Sequence, residues 1–208
     1  MDDTRFPLAA VVDPQHTAIL MVDVEPLFAN MTLVPPVDEV LSHLRRLLDA
    51  AQATGVLRIF IRSVIPEARW TEPWRLQFSS EMQAANAPES LLNAFHPDFE
   101  PQEGDLTLVK DRFSAFMATD LATLLQERGM RTVIVAGLIT DVCVSSTARD
   151  TFQLDFLTVT LADCTATDSL ARHEASLATI AEVFGRVCRV DEVLEAWQTP
   201  GVPAEFGV

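Results

Sequence analysis

Short apolar runs alternate along this chain with longer stretches of helical periodicity. The first run, "TAILMVD" from Thr17 to Asp23, ends in an acid, and a continuous apolar segment this short is the pattern of a strand buried on both faces. Val37, Val40, Leu41, Leu44, Leu47, Leu48 and Ala51 then recur at steps of three and four behind Pro35 and Pro36, and Gly55 closes the pattern. That spacing predicts a helix. "VLRIFIR" (Val56 to Arg62), "LTLVK" (Leu106 to Lys110), "RTVIVAG", "FLTVTLAD" and the short "RVCRV" predict further strands. Between them lie helices: "TDLATLLQERG", with Thr119 as N-cap and Gly129 just past its end, a segment from about Asp141 to Leu154, another from Asp168 to Phe184, and a terminal "VDEVLEAW". Strands alternating with helices at this spacing predict an α/β fold: three α-β-α layers around a mostly parallel, doubly wound sheet of about six strands.

From Ser63 to about Phe99 the pattern blurs, with Trp70, Trp74 and Phe78 set among Pro66, Pro73, Pro88 and Pro97. This reads as a long, partly helical excursion over the mouth of a site. The 208 residues are 49% hydrophobic without low-complexity segments, so one ordered domain spanning 1–208 is expected, with its core at about 17–190. A formal charge of −15 repels a phosphate backbone and argues against nucleic acid as a partner. "MDDTRFPLAA" has neither the basic nor the apolar region of a signal peptide, and no apolar run approaches the roughly 20 residues that cross a bilayer. A cytoplasmic protein with no membrane partner is expected. Cys143, Cys164 and Cys188 are odd in number and widely spaced, which fits reduced thiols better than disulfides or a zinc site.

Asp23, Lys110 and Cys143 each fall at or just beyond the C-terminal end of a predicted strand, where ligands bind in sheets of this type. A cysteine in the first turn of a helix, beside an ammonium, favours its thiolate, and Asp23 is placed to shuttle a proton. Spacing alone leaves the plainer alternatives open: a buried core thiol, a helix-capping acid and a solvated lysine. Cys164 and Cys188 read as small core hydrophobes.

Three segments, "AILMVDVEPLF", "LVKDRFSAF" and "VAGLITDVCVSSTARDTFQLDF", resemble the isochorismatase-like cysteine hydrolases, among them nicotinamidases, N-carbamoylsarcosine amidase, and ureidoacrylate and biuret hydrolases. The resemblance implies a catalytic triad of Asp23, Lys110 and Cys143, a cis peptide between Leu138 and Ile139, and an oxyanion hole formed by the N–H groups of Ile139 and Cys143. It implies a cofactor-free amidohydrolase that cleaves a small amide, ureide or carbamoyl substrate through a thioester. A homo-oligomer, dimer or tetramer, is expected. The alternatives within the family are vinyl ether hydrolysis and a non-catalytic binding or oligomerisation role.

The chain departs from the family in two places. The Asp-x-His and further His that bind metal in nicotinamidases have no counterpart in "IRSVIPEARWTEPWRLQF". His96 lies beyond that segment, and surface or capping roles are expected of His16, His43 and His173, so no metal is expected. Secondly, "VEPLF" puts Glu25 and Pro26 where the family has a Gln/Asn-rich segment. The expected pocket residues are Phe28, Trp70, Trp74 and Phe78 as an apolar wall, with Arg62, or else Arg69 or Arg75, as a clamp for a substrate carboxylate.

Overall fold

The computed structural model describes residues 7–198; the remainder of the expected 1–208 domain, 1–6 and 199–208, lies outside the described residues. The strands are β1 Thr17–Val22, β2 Leu57–Ser63, β3 Leu106–Lys110, β4 Thr132–Leu138, β5 Leu157–Ala166 and β6 Arg186–Cys188. The helices are α1 Leu8–Val11, α2 Pro26–Ala29, α3 Val37–Thr54, α4 Glu72–Gln77, α5 Ser80–Ala85, α6 Leu121–Glu127, α7 Ser145–Gln153, α8 Leu170–Thr179 and α9 Val190–Gln198. The strands form one sheet in the order β3-β2-β1-β4-β5-β6, and every neighbouring pair is parallel.

Strand alternation sorts the core into two layers. Ile19 and Met21 of β1 face α3 and α9, joining Leu44, Leu47, Val190 and Val193. Ala18, Leu20 and Val22 face the other way, onto Leu121 and Leu125 of α6 and Ala148 of α7. All six residues of β1 are buried, which is why its sequence shows an unbroken apolar run rather than a polar–apolar alternation. α3 follows its predicted apolar stripe and ends at Gly55, whose φ of 74° supplies the left-handed cap.

From β1 the chain moves outward to β2 and β3, then returns across β1 to β4 and continues the opposite way. The order therefore reverses between β1 and β4, and a crevice opens above their carboxyl ends. β1 and β4 approach each other closely at Gly137, whose φ is 120° and where a Cβ would stand 2.0 Å from the carbonyl oxygen of Val22.

The structure corrects several boundaries. α6 begins at Leu121 with Asp120 in the cap position; Thr119 lies one residue earlier, its hydroxyl donating to Ala115 O at 2.6 Å and accepting from Leu121 N–H at 3.4 Å. The helix expected from Asp141 opens instead as a wide π-helical turn, Thr140–Val144, and becomes α-helical only at Ser145. Cys143 thus sits in that turn. The helix expected from Asp168 starts at Leu170 and ends in a second such turn, Ile180–Phe184. The excursion contains α4, α5 and 3-10 turns at Glu67–Arg69, Leu91–Asn93 and Pro97–Phe99. Among the described residues no helix is long and apolar enough to cross a membrane.

Gly137→Ala should cost more than about 3 kcal/mol, because the methyl group has only rigid backbone to displace. Urea unfolding of the purified variant measures the loss. A change below about 1 kcal/mol would show that β1 and β4 can separate without penalty.

Candidate active site

Four neighbouring strands deliver the polar groups at the crevice. β1 ends by giving Asp23 N–H to Ile61 O at 2.9 Å, and Asp23 then turns with φ 51°, a left-handed conformation that Asp tolerates better than most side chains. β2 ends in Ser63 and β3 in Lys110, and these two are register partners. β4 leads through the cis Leu138–Ile139 peptide into the π-turn that carries Cys143. That turn is fastened from outside: Thr140 Oγ1 meets His173 Nδ1 at 3.0 Å, and Asp141 accepts from the Thr167 hydroxyl at 2.6 Å and pairs with Arg172 at 2.8 Å.

The side chains converge on the Lys110 ammonium. Nζ lies 2.6 Å from Asp23 Oδ2, donates to Ser63 Oγ at 2.7 Å and to Arg112 O at 3.1 Å, and stands 3.6 Å from Cys143 Sγ. Ser63 Oγ in turn donates to Asp23 Oδ1 at 3.0 Å. Asp23, Lys110 and Cys143 therefore meet in one buried cluster, with side chains of Asp23 and Lys110 wholly inaccessible.

Ser63, the hydroxyl that bridges acid and base, was not among the sequence candidates. The signal was available: alternation along β2 puts Ile59, Ile61 and Ser63 on the Cys143 side and Phe60 with Arg62 on the other. Arg62 consequently does not border the cavity. Its guanidinium lies 5.7 Å over the Phe95 ring and reaches Asn93 O at 3.5 Å.

Glu25 completes the cluster. It is fully buried, its Oε1 accepts Ser63 N–H at 2.5 Å, and its Oε2 has no hydrogen-bond partner among the described residues. Burial first, and the adjacent Asp23 charge second, push its carboxyl up to about 9, so it is protonated at neutral pH. Burial likewise pushes the Cys143 thiol well above its ordinary value, and the Asp23 charge adds to this; Lys110 opposes both without overcoming them. The resting sulfur is therefore a neutral thiol, which corrects the expectation of a thiolate. Burial alone would lower Lys110, yet the Asp23 charge holds it above the ordinary lysine value.

Above Cys143 opens a cavity of about 470 Å³, bordered by Phe28, Trp70, Trp74 and Phe78 and also by Phe113, Arg112 and Ile139. Cys143 and Met82 put sulfur on the wall, and among the described residues no group of three or more His, Cys, Asp or Glu is arranged to hold a metal ion. His16 pairs with Asp13, His43 reaches Asp163 O and His96 caps Asp98 N–H. His173, expected in a surface or capping role, is buried with its Nδ1 against the Thr140 hydroxyl. Cys164 and Cys188 are buried in the core, outside the cavity.

The isochorismatase domain model matches residues 17–192. Ureidoacrylate amidohydrolase RutB of Enterobacter sp. (strain 638) is 31% identical over 220 residues, covering 94% of this chain and 95% of that protein. RutB of Serratia proteamaculans (strain 568) is 28% identical over 220 residues, covering 93% and 88%. Among solved structures, a cysteine hydrolase from Pseudomonas syringae pv. phaseolicola 1448A superposes with a TM-score of 0.83 at 26% identity, covering 93% of this chain and 96% of that one.

Glu25 yields a pH signature. The fold keeps on Glu25 a proton that the unfolded chain releases above about 4.5, so the associated stability is full below that pH and is lost as pH rises toward about 9. The limiting slope is about 1.4 kcal/mol per pH unit. Glu25→Gln, nearly isosteric and never charged, should gain on the wild type steadily across this window in melting temperature. Parallel melting-temperature curves from pH 5 to 9 would show that Glu25 does not titrate this way.

Proposed function

The chain belongs to the isochorismatase family, and on that premise we propose that it is a cysteine amidohydrolase that cleaves the C–N bond of an amide, ureide or carbamoyl compound. The observation that carries this reading is the buried Asp23–Lys110–Cys143 cluster opening into a cavity at the sheet's switch point.

The chemistry follows from the charge state of the cluster. As substrate binds, the neutral Cys143 thiol passes its proton to Asp23, which shares the Lys110 ammonium with it, and Sγ attacks the carbonyl carbon. An S–C bond forms and the negative charge moves to the carbonyl oxygen. The N–H groups of Ile139 and Cys143 hold that oxygen; both residues border the cavity. The intervening Val142 N–H and the following Val144 N–H are already given to Ile139 O at 3.1 and 3.2 Å. Asp23 returns the proton to the nitrogen, the C–N bond breaks, and ammonia or an amine departs. Asp23 next takes a proton from water, whose oxygen attacks the thioester, releasing the acid and restoring the thiol. Lys110 keeps its proton throughout. It faces whichever neighbour is anionic, first Asp23 at 2.6 Å and then the sulfur at 3.6 Å.

The ureide named for the RutB relatives is one candidate substrate. A cytoplasmic location is supported by three widely spaced, buried cysteines. Exposed Phe152 and Val183 support a homo-oligomer.

Asp23→Asn tests the mechanism with two readouts. Ammonia release should fall by roughly 10² or more, because the proton carrier is gone. Iodoacetamide should nevertheless alkylate Cys143 faster at pH 7, since the charge that opposes the thiolate has been removed while Lys110 remains. Peptide mapping should find Cys164 and Cys188 unlabelled in the folded protein. Near-normal turnover, or slower alkylation of Cys143, would overturn the assigned roles.

A further inference from the structure

The walls of the cavity are far more apolar than a small ureide requires. Trp70, Trp74, Phe78 and Phe113 form a connected aromatic roof with ring centroids 5.0–6.2 Å apart. Ile65, Met82 and Val142 continue the apolar surface toward Cys143. Cavities of roughly 300–1,000 Å³ take drug-sized ligands, so a volume of about 470 Å³ leaves most of its space unused by a bare ureide or carbamoyl group.

The cationic groups near the mouth are already engaged. Arg69 pairs with Asp111 through two guanidinium nitrogens. Arg75 donates to Trp70 O at 2.9 Å and to Glu67 O at 3.1 Å. Arg112, which does border the cavity, gives Nη1 to Asp111 O at 2.6 Å and Nη2 to Arg69 O at 3.3 Å, and lays its plane 4.8 Å over the Trp74 ring. It stiffens the roof, and its charge is already paired with the Asp111 carboxylate at 3.6 Å. Lys110 is buried beneath with Asp23. A substrate carboxylate in this cavity would meet chiefly aromatic faces, whose quadrupole is negative, and Arg112, the cation on its border, is already paired with Asp111, so little would repay its desolvation. The net charge of −15 further disfavours an approaching anion.

We infer that the substrate is an uncharged amide or ureide whose far end is an aromatic or similarly broad apolar group seated under the Trp70–Trp74–Phe78–Phe113 roof. The inference rests on the cysteine amidohydrolase reading for the bond cleaved, and it separates this chain from the anionic acrylate named for its RutB relatives.

Three amides of matched acyl length test it: 3-phenylpropionamide, propionamide and succinamate. With wild-type protein, kcat/KM for ammonia release should be roughly 10² higher for 3-phenylpropionamide than for propionamide, the gain expected from burying one ring, and lowest for succinamate. Trp74→Ala should bring the phenyl-to-methyl ratio down at least tenfold, and Phe113→Leu provides the same test should the first variant fail to fold. Calorimetry of the wild type with 3-phenylpropionamide and succinamate reads binding apart from turnover. Binding of the phenyl amide but not of succinamate, with no ammonia from any amide, would retain the pocket assignment and overturn the amidohydrolase reading. Succinamate bound or hydrolysed as well as the phenyl amide would overturn the pocket assignment, as would failure of the phenyl amide to bind.

Discussion

A single buried ammonium has to serve three acids. Asp23, Glu25 and the Cys143 thiol crowd the carboxyl ends of β1 and β4, and Lys110 is the one lysine of the sequence. In a medium that desolvates every charge, one cation balances one anion. The cluster meets this by setting Asp23 at 2.6 Å from Nζ and leaving Glu25 and Cys143 protonated. The electrostatics of the proposed reaction follow from that count. Negative charge can move from Asp23 to sulfur to a substrate oxyanion, while the cation that balances it stays fixed.

The fold makes the crowding unavoidable. Reversal of strand order between β1 and β4 places the ends of four adjacent strands side by side, and a glycine at 137 lets β1 and β4 close up where any side chain would strike Val22. Ser63 and Lys110 are register partners, so the spacing between hydroxyl and ammonium is set by the ladder of β2 and β3 rather than by flexible loops. Backbone hydrogen bonds thus hold the polar cluster in place, and the stability of the sheet carries the cost of desolvating it.

How much of this was legible in the sequence depended on whether local pattern or tertiary contact decided the outcome. The alternation of strands and helices, the stripe on α3 with Gly55 as its cap, and the strand-end positions of Asp23 and Lys110 are local properties, and period and punctuation expose them. Ser63 is legible by alternation along β2, although the charge of its neighbour Arg62 draws attention to the other face, which points to Phe95. The π-turn at Cys143 was not legible, because its shape depends on His173, Thr167 and Arg172 from distant segments. The same limit applies to the ionisation of Cys143. A helix-start cysteine beside a lysine suggests a thiolate, and only the three-dimensional neighbourhood shows that Asp23 already holds the lysine's charge.

A resting thiol also gives the aromatic roof a second consequence. Water trapped over Cys143 would solvate a thiolate and offer a competing nucleophile, whereas an apolar group seated beneath Trp74 and Phe113 displaces it. Dehydration removes solvation that a thiolate would use, the same burial that already raises this thiol, while it strengthens the 3.6 Å contact with Lys110, so the thiolate formed once Asp23 has taken the proton depends on Lys110 and reacts unsolvated. Binding of the apolar end and activation of the nucleophile are therefore coupled through the local dielectric. A substrate too small to fill the roof would forfeit contact area and leave the sulfur wetter, so its disadvantage should fall on kcat as well as on KM.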